Sequence, residues 1–148
     1  MCEELDQIDL HNRVRDLLKV YGSYTRELRA KRRRFKQISE EFANHSEWPR
    51  AAARACGISE IDPKHTAVEE LILELSTLPI EIKELNNKRA ALGLDEFIGI
   101  LSEDNRKLIE LVFVKDKTYE EAGKIIGLTK SGIRDRVRQI IESSHLCG

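Results

Sequence analysis

The chain has 148 residues with a formal net charge of −1, and 34% of them are charged but only 5% aromatic. Few glycines and prolines among many charged and aliphatic residues predict an all-α protein. Three widely spaced cysteines argue against a disulfide framework, and the absence of an apolar run of about 18 residues argues against a membrane span, so we expect a cytoplasmic protein.

An apolar heptad pattern predicts one long N-terminal helix. Its core positions between residues 10 and 42 are Val14, Tyr21, Leu28, Phe35 and Phe42, with Leu10, Leu17, Tyr24 and Ile38. A second heptad pattern runs over residues 68–92 and continues through Pro79. Because the register is unbroken, one kinked helix is favoured over a second helix that starts with Thr77 as its cap. Thr66 followed by Glu69 predicts a capping box at its start.

Two coiled-coil-like helices can pair in two ways. They can fold back as an antiparallel hairpin, with residues 44–66 as a loop that holds a short helix over 50–55, or they can associate between chains. Because a long apolar seam has to be covered, we favour a homodimer. Residues 1–93 are therefore interpreted as a dimerisation or partner-binding region, and residues 94–148 as a second domain.

Two short helices joined by a tight turn are predicted near the C-terminus. Thr118 and Glu121 form a capping box for the first helix, and Gly127 supplies the positive φ that ends it. Thr129 caps the second helix, and Leu128 in the turn is expected to be buried. Such a pair indicates a helix-turn-helix.

The second of these helices, predicted over residues 130–141, is amphipathic. Ile133, Val137 and Ile140 form one apolar stripe, and the other side is basic and polar. Asp95 and Ser102 are predicted caps of two preceding helices, the first of which is expected to run through Leu101. The four helices would share a core of Ile98, Leu101, Leu108, Val112, Ile125, Leu128, Ile133 and Val137.

The segment from Phe97 to Ser143 resembles region four of bacterial sigma factors. The matching stretches are SEDNRKLIELVFV, KDKT, YEEAGKIIG and LTKSGIRDRV, with Gly123 where such motifs place a small residue. The whole layout is similar to the RinA/ArpU-type phage regulators. These resemblances imply a phage-encoded, sequence-specific DNA-binding transcription regulator that reads the major groove of double-stranded DNA with the helix 130–141.

Candidate DNA contacts lie on the open face of that helix and at the helix starts. They are Lys117, Thr118, Thr129, Lys130, Ser131, Arg134, Asp135 and Arg138. Arginine binds guanine bidentately and aspartate accepts from cytosine, while helix starts with hydroxyls bind phosphate. The alternative is a solvated face on which the two arginines flank Asp135 as helix pairs. Gly132 departs from the family, whose members often carry a longer side chain there.

A basic run over residues 26–36 is a second candidate contact surface. Its residues could bind DNA phosphates or an acidic partner such as RNA polymerase: Arg26, Arg29, Arg32, Arg33 and Lys36. A solvated charged face is the alternative interpretation.

Scattered histidines and the lack of a phosphate loop or nucleophile motif predict neither a metal site, nor a cofactor, nor an enzyme. Two other functions fit the pattern. One is an oligomeric, small-terminase-like DNA-packaging factor, and the other is a protein-binding adaptor or inhibitor that uses the basic helix 26–36.

Overall fold

The computed structural model describes residues 2–44 and 63–144, and all regular structure in these ranges is helical. The helices are α1 (Cys2–Asn44), α2 (Pro63–Ala90), α3 (Asp95–Gly99), α4 (Glu103–Ile109), a π-helical segment (Glu110–Val114), α5 (Tyr119–Ile126) and α6 (Lys130–Ser143). The predicted all-α fold, with long N-terminal helices before a group of short helices, is confirmed. In these ranges no helix is both long enough and apolar enough to cross a membrane. The predicted short helix over 50–55 lies outside the described residues.

The predicted long helices are present, but the start of the second differs from expectation. α2 is one continuous helix with Pro79 inside it, so the preference for one helix over two is confirmed. α2 begins at Pro63, three residues before Thr66, and the predicted cap at Thr66 is therefore wrong.

Contacts divide the chain into two compact units. The first combines residues 1–26 with residues 87–148, and the second consists of residues 27–86. The predicted domain boundary between residues 93 and 94 stays a prediction. In the structure, the beginning of α1 belongs to the same unit as the helix-turn-helix.

The core of the first unit joins the beginning of α1 to the C-terminal helices. Its fully buried side chains include Leu18 of α1, Leu108 of α4 and Val137 of α6. Two predicted core residues are misplaced, since Ile125 is 50% exposed and Leu128 is 39% exposed. The helix α5 turns small residues inward instead, with Ala122 and Gly123 buried, because it lies close to α6.

The short helices after α2 partly follow the prediction. Asp95 is the first residue of α3 rather than its cap, and Leu94 takes the cap position without a side-chain hydrogen bond. α3 ends at Gly99, before the predicted end at Leu101. The predicted cap at Ser102 is confirmed, because its hydroxyl accepts a 3.2 Å hydrogen bond from the Asn105 amide.

In the second unit, α1 and α2 form an antiparallel hairpin. Lys31 pairs with Glu81 at 2.8 Å, and further along α1 Arg34 pairs with Glu74 at 2.9 Å, earlier in α2. Ile38, Phe42 and Leu78 form a buried cluster, against which Phe35, Leu71, Ile72 and Leu75 pack. Of the two pairings that the heptads left open, the described residues have the intramolecular one. Dimerisation stays a prediction.

Candidate nucleic-acid interface

The first helix of the motif, α5, starts at the predicted capping box. The Thr118 hydroxyl accepts a hydrogen bond from the Glu121 amide at 3.1 Å and donates one to the Glu121 carboxylate, also at 3.1 Å. The Glu121 carboxylate contacts the Thr118 hydroxyl rather than the Thr118 amide that a full capping box pairs, so only the hydroxyl half of the predicted box is present. This satisfies one of the amides that every helix start leaves without a helical partner.

The turn after α5 depends on two glycines. Gly127 has φ of +90°, a conformation that glycine adopts without steric cost. The amides of Gly127 and Leu128 both donate to the Gly123 carbonyl, at 2.7 and 2.9 Å. A Cβ on Gly123 would lie 2.4 Å from the Leu128 carbonyl oxygen. A glycine at residue 123 therefore permits the tight turn that sets α5 against α6.

The second helix, α6, is capped and amphipathic as predicted. The Thr129 hydroxyl accepts from the Gly132 amide at 3.0 Å. Ile133, Val137 and Ile140 are at most 2% exposed, so that the apolar stripe anchors the helix in the core. The helix continues to Ser143, two residues beyond the predicted end.

The predicted DNA contacts all lie at the surface. The exposed residues are Lys117, Thr118, Thr129, Lys130, Ser131, Arg134, Asp135 and Arg138. The two threonine hydroxyls among them are engaged as helix caps, and Lys117 lies 3.8 Å from the Glu121 carboxylate. Their role as DNA contacts stays a prediction, but among the described residues this surface is open to solvent.

The side chains on the outer face of α6 have no polar partner in the described part of the chain. Asp135 forms no ion pair there with Arg134 or Arg138, so the structure does not contain the intrahelical pairs of the alternative interpretation. Their hydrogen-bonding groups face solvent. Exposed arginine and aspartate side chains without internal partners are suited to bind base edges.

The structure leaves little room for a side chain at Gly132. A Cβ there would lie 3.2 Å from the Thr129 Oγ1 and 3.7 Å from the Leu128 Cβ. A longer side chain would press on the capping hydroxyl. Glycine at this position is therefore compatible with the cap, whatever the residue contributes to DNA contact.

The residues of the basic run of α1 belong to both units and make different contacts. Arg26 belongs to the first unit, where its Nη1 donates to the carbonyls of Phe113 and Val114 at 3.0 and 2.8 Å. The other candidates, Arg29, Arg32, Arg33 and Lys36, are exposed in the second unit. Arg32 donates to the side chain of Asn86 at 3.2 Å.

The ion pairs of the hairpin shift the titration of their members. The hydrogen bond from Arg34 holds the pKa of the Glu74 carboxyl below its usual value. The hydrogen bond to Glu81 raises the pKa of Lys31. The carboxylates of α2 therefore neutralise part of the basic run.

A cationic cleft that the sequence reasoning missed lies beside α5. This cleft, here called the α1 cleft, has a volume of about 500 Å³ and is lined by Arg15, Lys19, Arg26, Asp116, Lys117 and Tyr119, among others. The available signal was the spacing of Arg15, Lys19 and Arg26, which recur at helical periodicity on one face of α1.

Comparison with protein families agrees with this geometry. The family described as sigma-70, region 4, matches residues 97–143, a range that begins in α3 and ends with the last residue of α6. No curated protein and no solved structure gave a match. The predicted resemblance is therefore confirmed for this third of the chain, which is a region-four-like, DNA-binding helix-turn-helix.

Proposed function

We propose that this protein is a sequence-specific DNA-binding transcription regulator that reads the major groove with α6. The observation that supports this most is the orientation of α6. Its apolar stripe is buried in the core of the first unit, and the opposite face presents Ser131, Arg134 and Asp135 to solvent. The region-four match of the same residues supports the choice of DNA as the ligand.

The exposed face has the chemistry that base recognition needs. Arg134 and Arg138 can each donate two hydrogen bonds to guanine O6 and N7, and Asp135 can accept from cytosine N4. Lys130 and Ser131 lie in the first turn of α6, the part of a recognition helix that enters the groove. Lys117 and the start of α5 are placed to contact the backbone, because the first helix of such a motif crosses it.

The proposal is tested by selecting binding sites from a random duplex library with the full chain and measuring affinity by fluorescence anisotropy. Arg134→Ala should weaken binding to the selected site by about 1–3 kcal/mol and relax specificity at one position. Arg136→Ala is a matched control, since Arg136 is half-buried on the other side of α6. Equal specificity and affinity in Arg134→Ala and wild type would refute the assignment of α6.

A phage origin, a homodimer, a cytoplasmic location and a contact with RNA polymerase complete the proposal. The layout of long helices before a sigma-like motif supports the regulatory role. The hairpin covers the apolar cluster of α1 and α2 within one chain, so a dimer would need another surface. A dimer on DNA predicts half-sites about one helical turn apart. Footprinting of the selected site checks this, and a single protected half-site would contradict it.

The other two functions have less support. A packaging factor would assemble as a ring, and light scattering that reports eight or more subunits would favour it over a regulator. An adaptor would need the basic run of α1 for an acidic partner. Lys31 and Arg34 already pair with Glu81 and Glu74, which reduces the charge available to such a partner.

A further inference from the structure

We propose that the α1 cleft binds a phosphate of the DNA backbone, so that Lys19 and Arg15 extend the footprint of the helix-turn-helix onto the N-terminal helix. This inference rests on the proposed DNA-binding function and goes beyond it. It assigns a DNA contact to a part of the chain that lies outside the matched range of residues 97–143.

The α1 cleft is lined by an excess of positive charge. Four cations line it, namely Arg15, Lys19, Arg26 and Lys117, against the single carboxylate of Asp116. Among the described residues, no carboxylate forms an ion pair with the three cations of α1. Several like charges around one concavity repel each other unless an anion joins them.

Two of these cations are already held in place by neutral groups. The Arg15 Nη2 donates to the Tyr119 hydroxyl at 2.5 Å, and Arg26 donates to two backbone carbonyls. Neither contact neutralises the guanidinium. An arginine ordered before binding loses less conformational entropy when it meets a phosphate. Lys19 is exposed and has no polar partner among the described residues, so it is free to reach a ligand.

The α1 cleft lies beside the start of the first helix of the motif. It opens beside Lys117, Thr118 and Tyr119, where α5 begins. In a helix-turn-helix complex the first helix crosses the sugar-phosphate backbone while the second lies in the groove. A phosphate near the start of α5 would therefore lie next to the cations that α1 contributes. Because these groups reach no base edge, they would add affinity without sequence preference.

The experiment measures how DNA affinity of the full chain depends on salt. Each phosphate contact adds about 0.9 to the slope of log K against log salt concentration. Lys19→Gln should lower that slope by about 0.9 and weaken binding to selected and random duplexes by the same factor. Lys19→Arg, which keeps the charge, should retain the wild-type slope. Lys107→Gln is the matched control, because Lys107 is exposed on α4 and does not line the cleft.

The outcomes separate this inference from the proposed function. If Arg134→Ala weakens specific binding but Lys19→Gln leaves the slope unchanged, the cleft assignment is overturned and the regulator stands. If wild type shows no salt-sensitive DNA binding, the proposed function fails and the inference with it. Inorganic phosphate titrated at constant ionic strength, followed by NMR shifts of α1, is the second arm. Shifts that depend on Lys19, with an unchanged DNA slope, would assign the cleft to a free phosphate and also overturn the inference.

Discussion

Gly22 of α1 lies directly against the backbone carbonyl of Phe113, the last residue but one of the π-helical segment. A Cβ at residue 22 would be 1.8 Å from that oxygen. One turn further along α1, the Arg26 Nη1 donates a 3.0 Å hydrogen bond to the same carbonyl. A glycine and an arginine four residues apart thus join α1 to the helix that precedes the helix-turn-helix motif.

We expect Gly22→Ala to destabilise the protein. Alanine favours a helix over glycine by about 1 kcal/mol, but the clash is with backbone atoms that cannot rotate away. Overpacking of this kind costs about 1–3 kcal/mol, so the net change should be a loss. Urea denaturation followed by circular dichroism measures it. Gly99→Ala is the control, because nothing lies within 4 Å of a Cβ there. A Gly22→Ala protein more stable than wild type would contradict the packing.

We expect Arg26→Gln to lower stability even without DNA. The Phe113 and Val114 carbonyls lie at the end of the π-helical segment, where such groups lack a helical partner. Hydrogen bonds from a charged donor contribute about 1.5–3 kcal/mol. Thermal unfolding of the variant should therefore begin at a lower temperature. Arg33→Gln, at an exposed position of the same helix, should unfold like wild type. If both variants unfold alike, Arg26 has no structural role.

Loss of the α6 cap should affect both stability and DNA binding. Thr129→Ala removes the acceptor of the Gly132 amide, which costs about 1 kcal/mol. The first turn of α6 should fray, and hydrogen exchange of its amides should become faster. Because Lys130 and Ser131 lie in that turn, affinity for the selected DNA site should fall as well. Thr129→Ser keeps the acceptor, and we expect it to restore both properties. Equal amide hydrogen-exchange rates in wild type, Thr129→Ala and Thr129→Ser would show that α6 does not depend on the cap.

The hairpin should carry a measurable pH signature at Glu74. Its pKa is lowered in the folded state by the hydrogen bond from Arg34. The ion pair therefore stabilises the fold at pH values above the unfolded pKa of Glu74, and this contribution is lost as the pH falls through the lower folded pKa. NMR titration of the carboxyl carbon should show protonation of Glu74 at a lower pH in wild type than in Arg34→Gln.

Lys31→Gln is the matched control for that titration, because it breaks the neighbouring pair with Glu81 and leaves the contact between Arg34 and Glu74 intact. It should leave the titration of Glu74 unchanged. Identical Glu74 titrations in wild type and Arg34→Gln would mean that the pair does not form in solution.

The helix-turn-helix was predictable because its signals are local. Thr118 and Thr129 cap helices by accepting hydrogen bonds from amides three residues away. Gly127 ends α5 through its own positive φ. The buried side of α6 follows from the spacing of Ile133 and Val137. Ile125 and Leu128 were wrongly assigned to the core because an apolar residue beside a turn looks like a core residue in sequence, whereas packing leaves both exposed.

The sequence by itself determined where most helices form, which residues cap α4, α5 and α6, and which face of α6 is exposed. These properties arise from atoms within about one helical turn of each other. Only the tertiary structure decided that α1 and α2 cover each other within one chain, that Gly22 meets Phe113 and that Arg15 and Lys19 face the start of α5. The spacing of an apolar or basic stripe indicates the period of its helix. It does not indicate which surface the stripe will contact, because that surface is contributed by residues distant along the chain.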